Sequence, residues 1–178
     1  MTTTSAPGSD IVIRNPVTED GTAMWQLLVD AGTLDVNSSY LYLLLCRDFA
    51  PYCAVAERGD EMVGFVTGFT PPLRPDVWFL WQIGVSATAR GEGIANRLAF
   101  HVLKDHAARG GQYLETTVTA SNKPSRALFN GIARHLDTRI EEQELFTAEM
   151  FPEGGHEAEP LIRIGPFDAA AVARATEQ

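Results

Sequence analysis

Short apolar runs alternate along the chain with segments whose apolar residues recur at helical spacing. Apolar residues three or four positions apart predict helices, and short runs bounded by Gly or Pro predict strands. Thr18 is a favourable N-cap, and Gly32 a favourable end, for the first helix. The predicted strands are Ile11–Arg14, Cys53–Glu57, Met62–Phe69, Val77–Val85, Tyr113–Val118, Ile140–Phe146 and Leu161–Ile164. The predicted helices are 19–31, Tyr40–Arg47, a segment from about Ile94 onward, and Ala127–Leu136.

The order of these elements is β-α-α-β-β-β-α-β-α-β-β. Helices interleaved with strands predict an α/β fold, with a mixed sheet covered by helices on both faces. Gly84, inside the long strand Val77–Val85, suggests a bulge or a close backbone approach. We find no internal repeat and no break in composition, so one domain is expected at 11–167. A disordered leader is expected at 1–10, and a tail without an evident core face at 168–178.

The composition is that of a soluble globular protein, with 45% apolar and 21% charged residues among 178. The 14 Lys and Arg against 23 Asp and Glu give a formal charge of −9. This charge repels nucleic acid and anionic membranes and attracts small cations, although an acidic surface can serve solubility alone. Neither a membrane-spanning run nor a secretory signal is evident, so a cytoplasmic location is expected. Cys46 and Cys53 have no metal-ligand spacing, so we expect buried free thiols and no metal site.

A glycine-rich segment, Arg90–Ala95, follows the long strand and opens the next helix. Free N–H groups and the positive end of the dipole at a helix start bind phosphate. Gly91 and Gly93 lack the side chains that would keep a pyrophosphate away from the backbone. The segment has neither the Gly-Lys-Ser/Thr of a Walker loop nor the third glycine of a Rossmann fingerprint. A helix start that only needs flexible residues is the structural alternative.

Two segments resemble signatures of the GCN5-related N-acetyltransferases, the GNAT superfamily: Val85–Ala95, and Asn122 followed by Ala127-Leu128-Phe129. The resemblance implies acetyl-CoA as co-substrate and a mixed, mostly antiparallel sheet whose fourth and fifth strands splay apart. It also implies that the pantetheine arm pairs with the fourth strand and that the pyrophosphate lies on the glycine-rich segment. The cofactor-binding residues expected on this basis are Ile83, Val85, Arg90, Gly91, Glu92, Gly93, Ile94, Ala95 and Asn122.

Two positions depart from the superfamily pattern. Ala87 stands where the first signature usually has proline. Phe129 stands where a tyrosine often protonates the departing thiolate. The second departure implies that the proton donor comes from another part of the site.

Longer blocks between Ile11 and Phe167 resemble one branch of the superfamily, the L-2,4-diaminobutyrate acetyltransferases of ectoine biosynthesis. Among them are Leu34-Asp35-Val36-Asn37-Ser38-Ser39-Tyr40, Trp81-Gln82, Leu114-Glu115-Thr116-Thr117, Gly155-His156-Glu157 and Arg163-Ile164-Gly165-Pro166-Phe167. This resemblance implies acetyl transfer to the 4-amino group of L-2,4-diaminobutyrate. It also suggests a homodimer, although the sequence shows no interface signature.

Direct attack of an amine on a thioester requires a base for the ammonium proton and an acid for the thiolate. Glu115 is a candidate base or amine anchor, because a carboxylate in a central strand is costly unless it is paired or hydrated. His156 is a second candidate base, in a late acidic loop. Tyr40 is a candidate donor that would replace the tyrosine missing at Phe129, with packing of its ring as the alternative.

The expected acceptor site combines acids for an ammonium with an aromatic wall for the aliphatic chain. Helix capping, solvation and core packing are the structural alternatives for these residues. The candidate substrate-binding residues are Asp35, Asn37, Trp81, Thr117 and Glu157, with Arg74 or Arg163 for the substrate carboxylate.

Two other functions remain open from the sequence. The first is the same fold acting on another small amine, which a panel of acceptors would reveal. The second is a catalytically silent acetyl-CoA-binding regulatory module, which would bind the cofactor without releasing thiol.

Overall fold

The computed structural model describes residues 11–32, 37–152 and 154–177. Seven strands form one mixed sheet in the order β1-β2-β3-β4-β5-β7-β6. The strands are β1 (Ile11–Arg14), β2 (Ala54–Arg58), β3 (Glu61–Phe69), β4 (Val77–Val85), β5 (Tyr113–Thr117), β6 (Ile140–Phe146) and β7 (Glu159–Ile164). The β4–β5 pair is parallel and all other pairs are antiparallel. The predicted α/β class and mostly antiparallel sheet are confirmed.

Five helices cover both faces of this sheet in the described part of the chain. They are α1 (Asp20–Ala31), α2 (Ser39–Asp48), α3 (Ile94–Ala108), α4 (Lys123–His135) and α5 (Ala169–Thr176). Helices α1 and α2 pack against Val55 and Phe65, while α3, α4 and α5 pack with Trp78 and Leu114. Neighbouring strand residues point to opposite faces, which separates the two cores. No helix in these described segments is long and apolar enough to cross a membrane.

Strands β4 and β5 stay together over a short distance only. Their pairing joins Val77–Phe79 to Tyr113–Glu115, and beyond Phe79 the strands diverge. Strand β5 then continues along β7, with Thr117 opposite Leu161. The side of β4 that faces β5 is therefore an open edge for the rest of its length, as the resemblance implied.

The bulge in β4 lies three residues before the expected position. Thr67 and Gly68 on β3 pair with Gln82 and Leu80, which leaves Trp81 as the extra residue. Gly84 pairs in regular register with β3, and a Cβ at Gly64 would lie only 3.1 Å from its carbonyl oxygen, so the other expected alternative, a close backbone approach, is found there. A bulge reorients the side chain that it contains, so Trp81 is the residue redirected here.

The chain continues past residue 167 into α5, where the sequence analysis saw no core face. Asp168 Oδ1 accepts a hydrogen bond from Ala171 N at 2.7 Å and caps the helix. Val172 and Ala175 are buried in the same core as α3. A short helix with few apolar residues gives little periodicity, so its packing face was missed.

Candidate active site

A cavity of about 1010 Å³ lies where β4 and β5 separate. Its walls come from both strands, from the loop that precedes β4, from α4 and from the chain between β6 and β7. Among the predicted site residues, the cavity is lined by Asn37, Trp81, Ile83, Glu115, Thr117, Asn122 and His156. The splayed strands thus bring together residues that are distant in sequence.

The glycine-rich segment turns from β4 into the start of α3. Gly91 and Gly93 have φ values of +83° and +74°, a left-handed conformation that residues with a side chain rarely adopt. Arg90–Gly93 is exposed, and the N–H groups of the first turn of α3 have no acceptor within their own helix, as at every helix start. The negative charge of Glu92 in this segment is balanced by Arg58, whose Nη2 lies 2.5 Å from Glu92 Oε2. The segment has the geometry of an anion cradle, with Ile94 as the first helical residue.

The open edge of β4 leads from this cradle into the cavity. Ile83 lines the cavity and Val85 is half-buried at the end of the strand. On its other side β4 pairs with β3, so only the side toward β5 can accept another extended chain. An extended, amide-containing ligand arm fits an open strand edge of this kind.

Glu115 is fully buried on β5 and held by two arginines from different elements. Arg74 Nη1 donates to Glu115 Oε2 at 2.5 Å, and Arg163 Nη1 donates to Oε1 at 3.0 Å. The Arg163 guanidinium also stacks on the Tyr113 ring, 3.8 Å from the ring centroid. Each carboxylate oxygen thus already accepts a hydrogen bond from a guanidinium, which disfavours a second role of Glu115 as amine anchor.

Near the end of β5, Thr117 and His156 both lie close to Glu159, a residue that was not predicted to be part of the site. Thr117 Oγ1 donates to Glu159 Oε2 at 2.5 Å, and His156 Nε2 lies 3.7 Å from Glu159 Oε1. His156 stacks on Phe151 with ring centroids 3.8 Å apart. These contacts form a second polar centre on the cavity wall.

The hydrogen bonds of His156 define its tautomer. Nδ1 lies 2.7 Å from the carbonyl oxygen of Glu157, and a carbonyl can only accept. Nδ1 therefore carries the proton in the neutral ring, and Nε2 keeps its lone pair. A neutral imidazole held this way can accept a proton at Nε2.

A third polar group links α2 to β4 behind the bulge. The Tyr42 hydroxyl, fully buried, donates to Gln82 Oε1 at 2.8 Å. Burial raises the pKa of Tyr42, and hydrogen bonds with Asn37 and Gln82 oppose the shift. The backbone oxygen of Asn37 accepts from Trp25 Nε1 at 3.2 Å. These contacts hold Asn37 and Gln82 at the cavity wall beside Trp81.

Two predicted site residues, Tyr40 and Glu157, lie away from this cavity wall, and a third, Asp35, is not among the described residues. Tyr40 is 64% exposed on α2 and is not on the cavity wall formed by the described residues. Glu157 lies outside this wall and accepts hydrogen bonds from the N–H and the hydroxyl of Ser121. Asp35 lies outside the described residues. The roles predicted for all three stay predictions.

Asn122 and Phe129 connect the cavity to α4. Asn122 Oδ1 accepts from Ser125 N at 3.1 Å and caps the helix, while its predicted role in binding the cofactor stays a prediction. Phe129 is buried to 1% exposure and contributes an apolar ring to the cavity wall. At the position where the superfamily often has a phenol, this cavity is therefore hydrophobic.

Glu159 and Tyr42 are the site residues that sequence reasoning missed. Glu159 is the first residue of β7, after the acidic loop. Its spacing of two from Leu161 and Arg163 places it on the same face of the strand, and this pattern could have indicated that it belongs to the site. Tyr42 has the spacing of an ordinary core residue, so nothing in the pattern marks its hydroxyl. Among the described residues, no group of His, Cys, Asp and Glu side chains is arranged to hold a metal ion.

The sequence profile of the acetyltransferase (GNAT) family matches residues 21–132. An L-2,4-diaminobutyric acid acetyltransferase of Marinococcus halophilus is 45% identical over 94% of this chain and 96% of its own length. One of Streptomyces coelicolor is 44% identical over 93% of this chain and 98% of its own.

Solved structures give the same picture. The diaminobutyrate acetyltransferase EctA from Paenibacillus lautus, in complex with L-2,4-diaminobutyric acid and coenzyme A, superposes with a TM-score of 0.86. It is 41% identical, and the match covers 90% of this chain and 97% of that one. The ribosomal-protein-S18-alanine N-acetyltransferase of Escherichia coli superposes with a TM-score of 0.66 at 17% identity over 89% of this chain and 95% of that one, a likeness of fold alone.

Proposed function

Since the chain belongs to the acetyltransferase (GNAT) family, we propose that it transfers the acetyl group of acetyl-CoA to the 4-amino group of L-2,4-diaminobutyrate. The product, N4-acetyl-L-2,4-diaminobutyrate, is the substrate for ectoine synthesis. The observation that carries this proposal is identity of 44–45% with diaminobutyrate acetyltransferases over more than nine tenths of the chain. The cavity adds support, because it joins an anion cradle and an open strand edge to a polar acceptor pocket.

Acetyl-CoA binds along the open edge of β4. The pyrophosphate lies on the cradle at Arg90–Ala95, where Gly91 and Gly93 let the backbone N–H groups approach it. The pantetheine amides pair with the backbone at Ile83 and Val85, as extended chains do at a strand edge. The thioester then enters the cavity between β4 and β5, with its acetyl group toward β5.

The acceptor ammonium binds at the second polar centre, beside Glu159, Thr117 and His156. Glu159 supplies the negative charge, and His156 Nε2 accepts the proton that leaves the ammonium, directly or through water. The neutral amine nitrogen attacks the thioester carbon and the carbon–sulfur bond breaks. The nitrogen gives up its second proton as the amide forms, and the thiolate takes up one proton, so that the products are the amide and the free thiol. Trp81 contributes an aromatic wall for the carbon chain.

We propose Tyr40, exposed on α2, as the acid that protonates the thiolate. Substitution of Tyr40 by Phe tests the assignment without changing the helix. We expect kcat to fall while the KM for acetyl-CoA changes little, because the hydroxyl acts after binding. Unchanged kcat between pH 7 and 9 would remove Tyr40 from the mechanism.

The acceptor is tested with a panel of amines. Initial rates of thiol release are measured with L-2,4-diaminobutyrate, ornithine, lysine and 1,3-diaminopropane at fixed acetyl-CoA. The proposal expects the highest kcat/KM for diaminobutyrate. A higher kcat/KM for another amine would mean that the protein is an acetyltransferase with a different substrate. Binding of acetyl-CoA without thiol release in the presence of any amine would indicate a regulatory module.

Pairing into a homodimer through β6 completes the proposal. All seven residues of β6 are exposed, and Leu145 and Phe146 place apolar side chains on this edge strand. An edge with free backbone groups can pair with its own copy across a two-fold axis. Light scattering after gel filtration tests this, and a monomer at micromolar concentration would contradict it.

We also propose a cytoplasmic location, where acetyl-CoA is available. Cys46 and Cys53 are free and buried, as is usual in a reducing compartment. Burial raises the pKa of the Cys46 thiol to about 11 and that of Cys53 to about 12, so neither is a nucleophile at neutral pH. Fractionation of cells that produce the protein, with a cytoplasmic marker enzyme as reference, tests the location.

A further inference from the structure

The ion group formed by Arg74, Glu115 and Arg163 carries more positive than negative charge. Two guanidinium groups, each +1, face one carboxylate at −1, which leaves a net charge of +1. Glu115 is fully buried between them. A single positive charge therefore remains beside the cavity in a protein whose total charge is −9.

The two arginines differ in what they face. Arg74 lines the cavity, and its side chain is 47% exposed. Arg163 lies on the other side of Glu115, where it stacks on Tyr113 and is 31% exposed. Within the described residues, Glu115 is the one partner of the Arg74 side chain, and a guanidinium has five N–H groups to donate. Arg74 thus presents unused donors to the cavity.

The loop that carries Arg74 holds it in a defined place. Arg74 N donates to the oxygen of Pro71 at 2.9 Å, and Val77 N donates to the oxygen of Arg74 at 3.1 Å. Proline in such consecutive turns restricts the backbone further. With Glu115 fixing the guanidinium, the remaining donors are oriented before any ligand arrives, which favours binding of a planar anion.

The opposite charge, that of Glu159, lies on β7 beside the end of β5. Glu159 is held by Thr117, two residues beyond Glu115 on β5 and on the same face. Two residues of a strand span roughly 6.6 Å. The cavity wall therefore presents a cation beside Glu115 and an anion beside Thr117, an arrangement that suits a short chain with a carboxylate at one end and an ammonium at the other.

We propose that Arg74 is the specificity-determining residue that binds the carboxylate of the acceptor, and that Glu115 positions it. This inference deepens the proposed function and rests on it. It explains why the terminal amine is acetylated, because the 2-amino group stays beside the bound carboxylate while the 4-amino group reaches Glu159 and His156. Glu115 is then a positioning residue and not the base.

The test compares two acceptors that differ by the carboxylate alone, L-2,4-diaminobutyrate and 1,3-diaminopropane. In Arg74→Gln, kcat/KM for diaminobutyrate should fall about 10- to 100-fold, mainly through KM, because a charged hydrogen-bonding partner is lost. The value for 1,3-diaminopropane should stay within about twofold, since it has no group that Arg74 binds. Where diaminopropane turns over too slowly, its inhibition constant against diaminobutyrate serves as the readout.

Arg163→Gln is the matched control. It removes the second arginine that binds Glu115, and Arg163 is not among the residues that line the cavity. Its ratio of diaminobutyrate to diaminopropane kcat/KM should stay within about threefold of the wild type. Arg74→Lys should recover part of the affinity for diaminobutyrate through its charge. Melting temperatures of all variants show whether each is folded at the assay temperature.

An unchanged acceptor ratio in Arg74→Gln, or equal changes of this ratio in Arg74→Gln and Arg163→Gln, would overturn the inference and leave a structural ion group. Failure of the proposed function is a separate result. It would appear in the wild type as a preference for an amine other than diaminobutyrate, whatever the Arg74 variants do.

Discussion

Removal of the Tyr42 hydroxyl is the sharpest test of how the cavity wall is held. The hydroxyl is fully buried and donates to Gln82 Oε1 at 2.8 Å. It also shares a hydrogen bond with Asn37. Tyr42→Phe keeps the ring, so the change isolates these polar contacts.

The expected loss follows from the number of bonds. A buried hydrogen bond contributes about 0.5–1.5 kcal/mol net, so two such bonds amount to about 1–3 kcal/mol. For a domain of this size each kcal/mol lowers Tm by about 2–4 °C. Tyr42→Phe should therefore lower Tm by about 2–12 °C.

Tyr40→Phe is the matched control on the same helix, because that side chain is 64% exposed. Its free energy of unfolding should stay within about 0.5 kcal/mol of the wild type. Urea unfolding of the three proteins, followed by circular dichroism, measures both values. Equal losses in the two variants, or a loss below about 0.5 kcal/mol in Tyr42→Phe, would refute the assignment of the buried bonds.

Three other predictions follow from the packing and the charges. Gly68→Ala should destabilise the fold by about 1–3 kcal/mol, because the added Cβ would lie 2.3 Å from Nε1 of Trp78. Gly131→Ala is the control and should not destabilise the fold, since the nearest atom to its Cβ would be 4.0 Å away. Urea unfolding of the two variants measures the difference. Burial lowers the pKa of His106, so the folded state binds fewer protons than the unfolded one below about pH 6.5. Stability should be full above that pH and decrease as pH falls through the lowered pKa, by at most about 1.4 kcal/mol per pH unit for this group; the same decrease in His106→Gln would contradict the assignment. Arg58→Ala should raise the KM for acetyl-CoA about 3- to 10-fold by leaving Glu92 unbalanced at the cradle, and Glu92→Gln in the same chain should reverse the effect; no reversal would contradict the charge argument.

The elements of the sheet and the cradle could be predicted because their signals are local. Strand length, helical spacing and the pair Gly91 and Gly93 each depend on neighbouring residues, and the structure has them where expected. The position of the bulge was not predicted, because it depends on the register of β3 against β4. This register places the bulge at Trp81 and not at Gly84.

The polar partners of the site could not be predicted for a related reason. Glu115 was recognised as an unusual carboxylate, but its two arginines come from 41 and 48 residues away, and sequence gave no ground for choosing both. Tyr40 and Tyr42 lie on one helix with opposite exposure, and only packing distinguishes them. Fold-level signals are short-range, whereas side-chain partnership is decided by tertiary contacts.

The position of the acetyl group in the product distinguishes the proposed reaction from its alternatives. The protein is incubated with acetyl-CoA and L-2,4-diaminobutyrate, released thiol is quantified, and the product is analysed by NMR. We expect one acetyl group per released thiol, carried by the 4-amino nitrogen alone. Acetylation at the 2-amino nitrogen, or bound acetyl-CoA without thiol release, would contradict it.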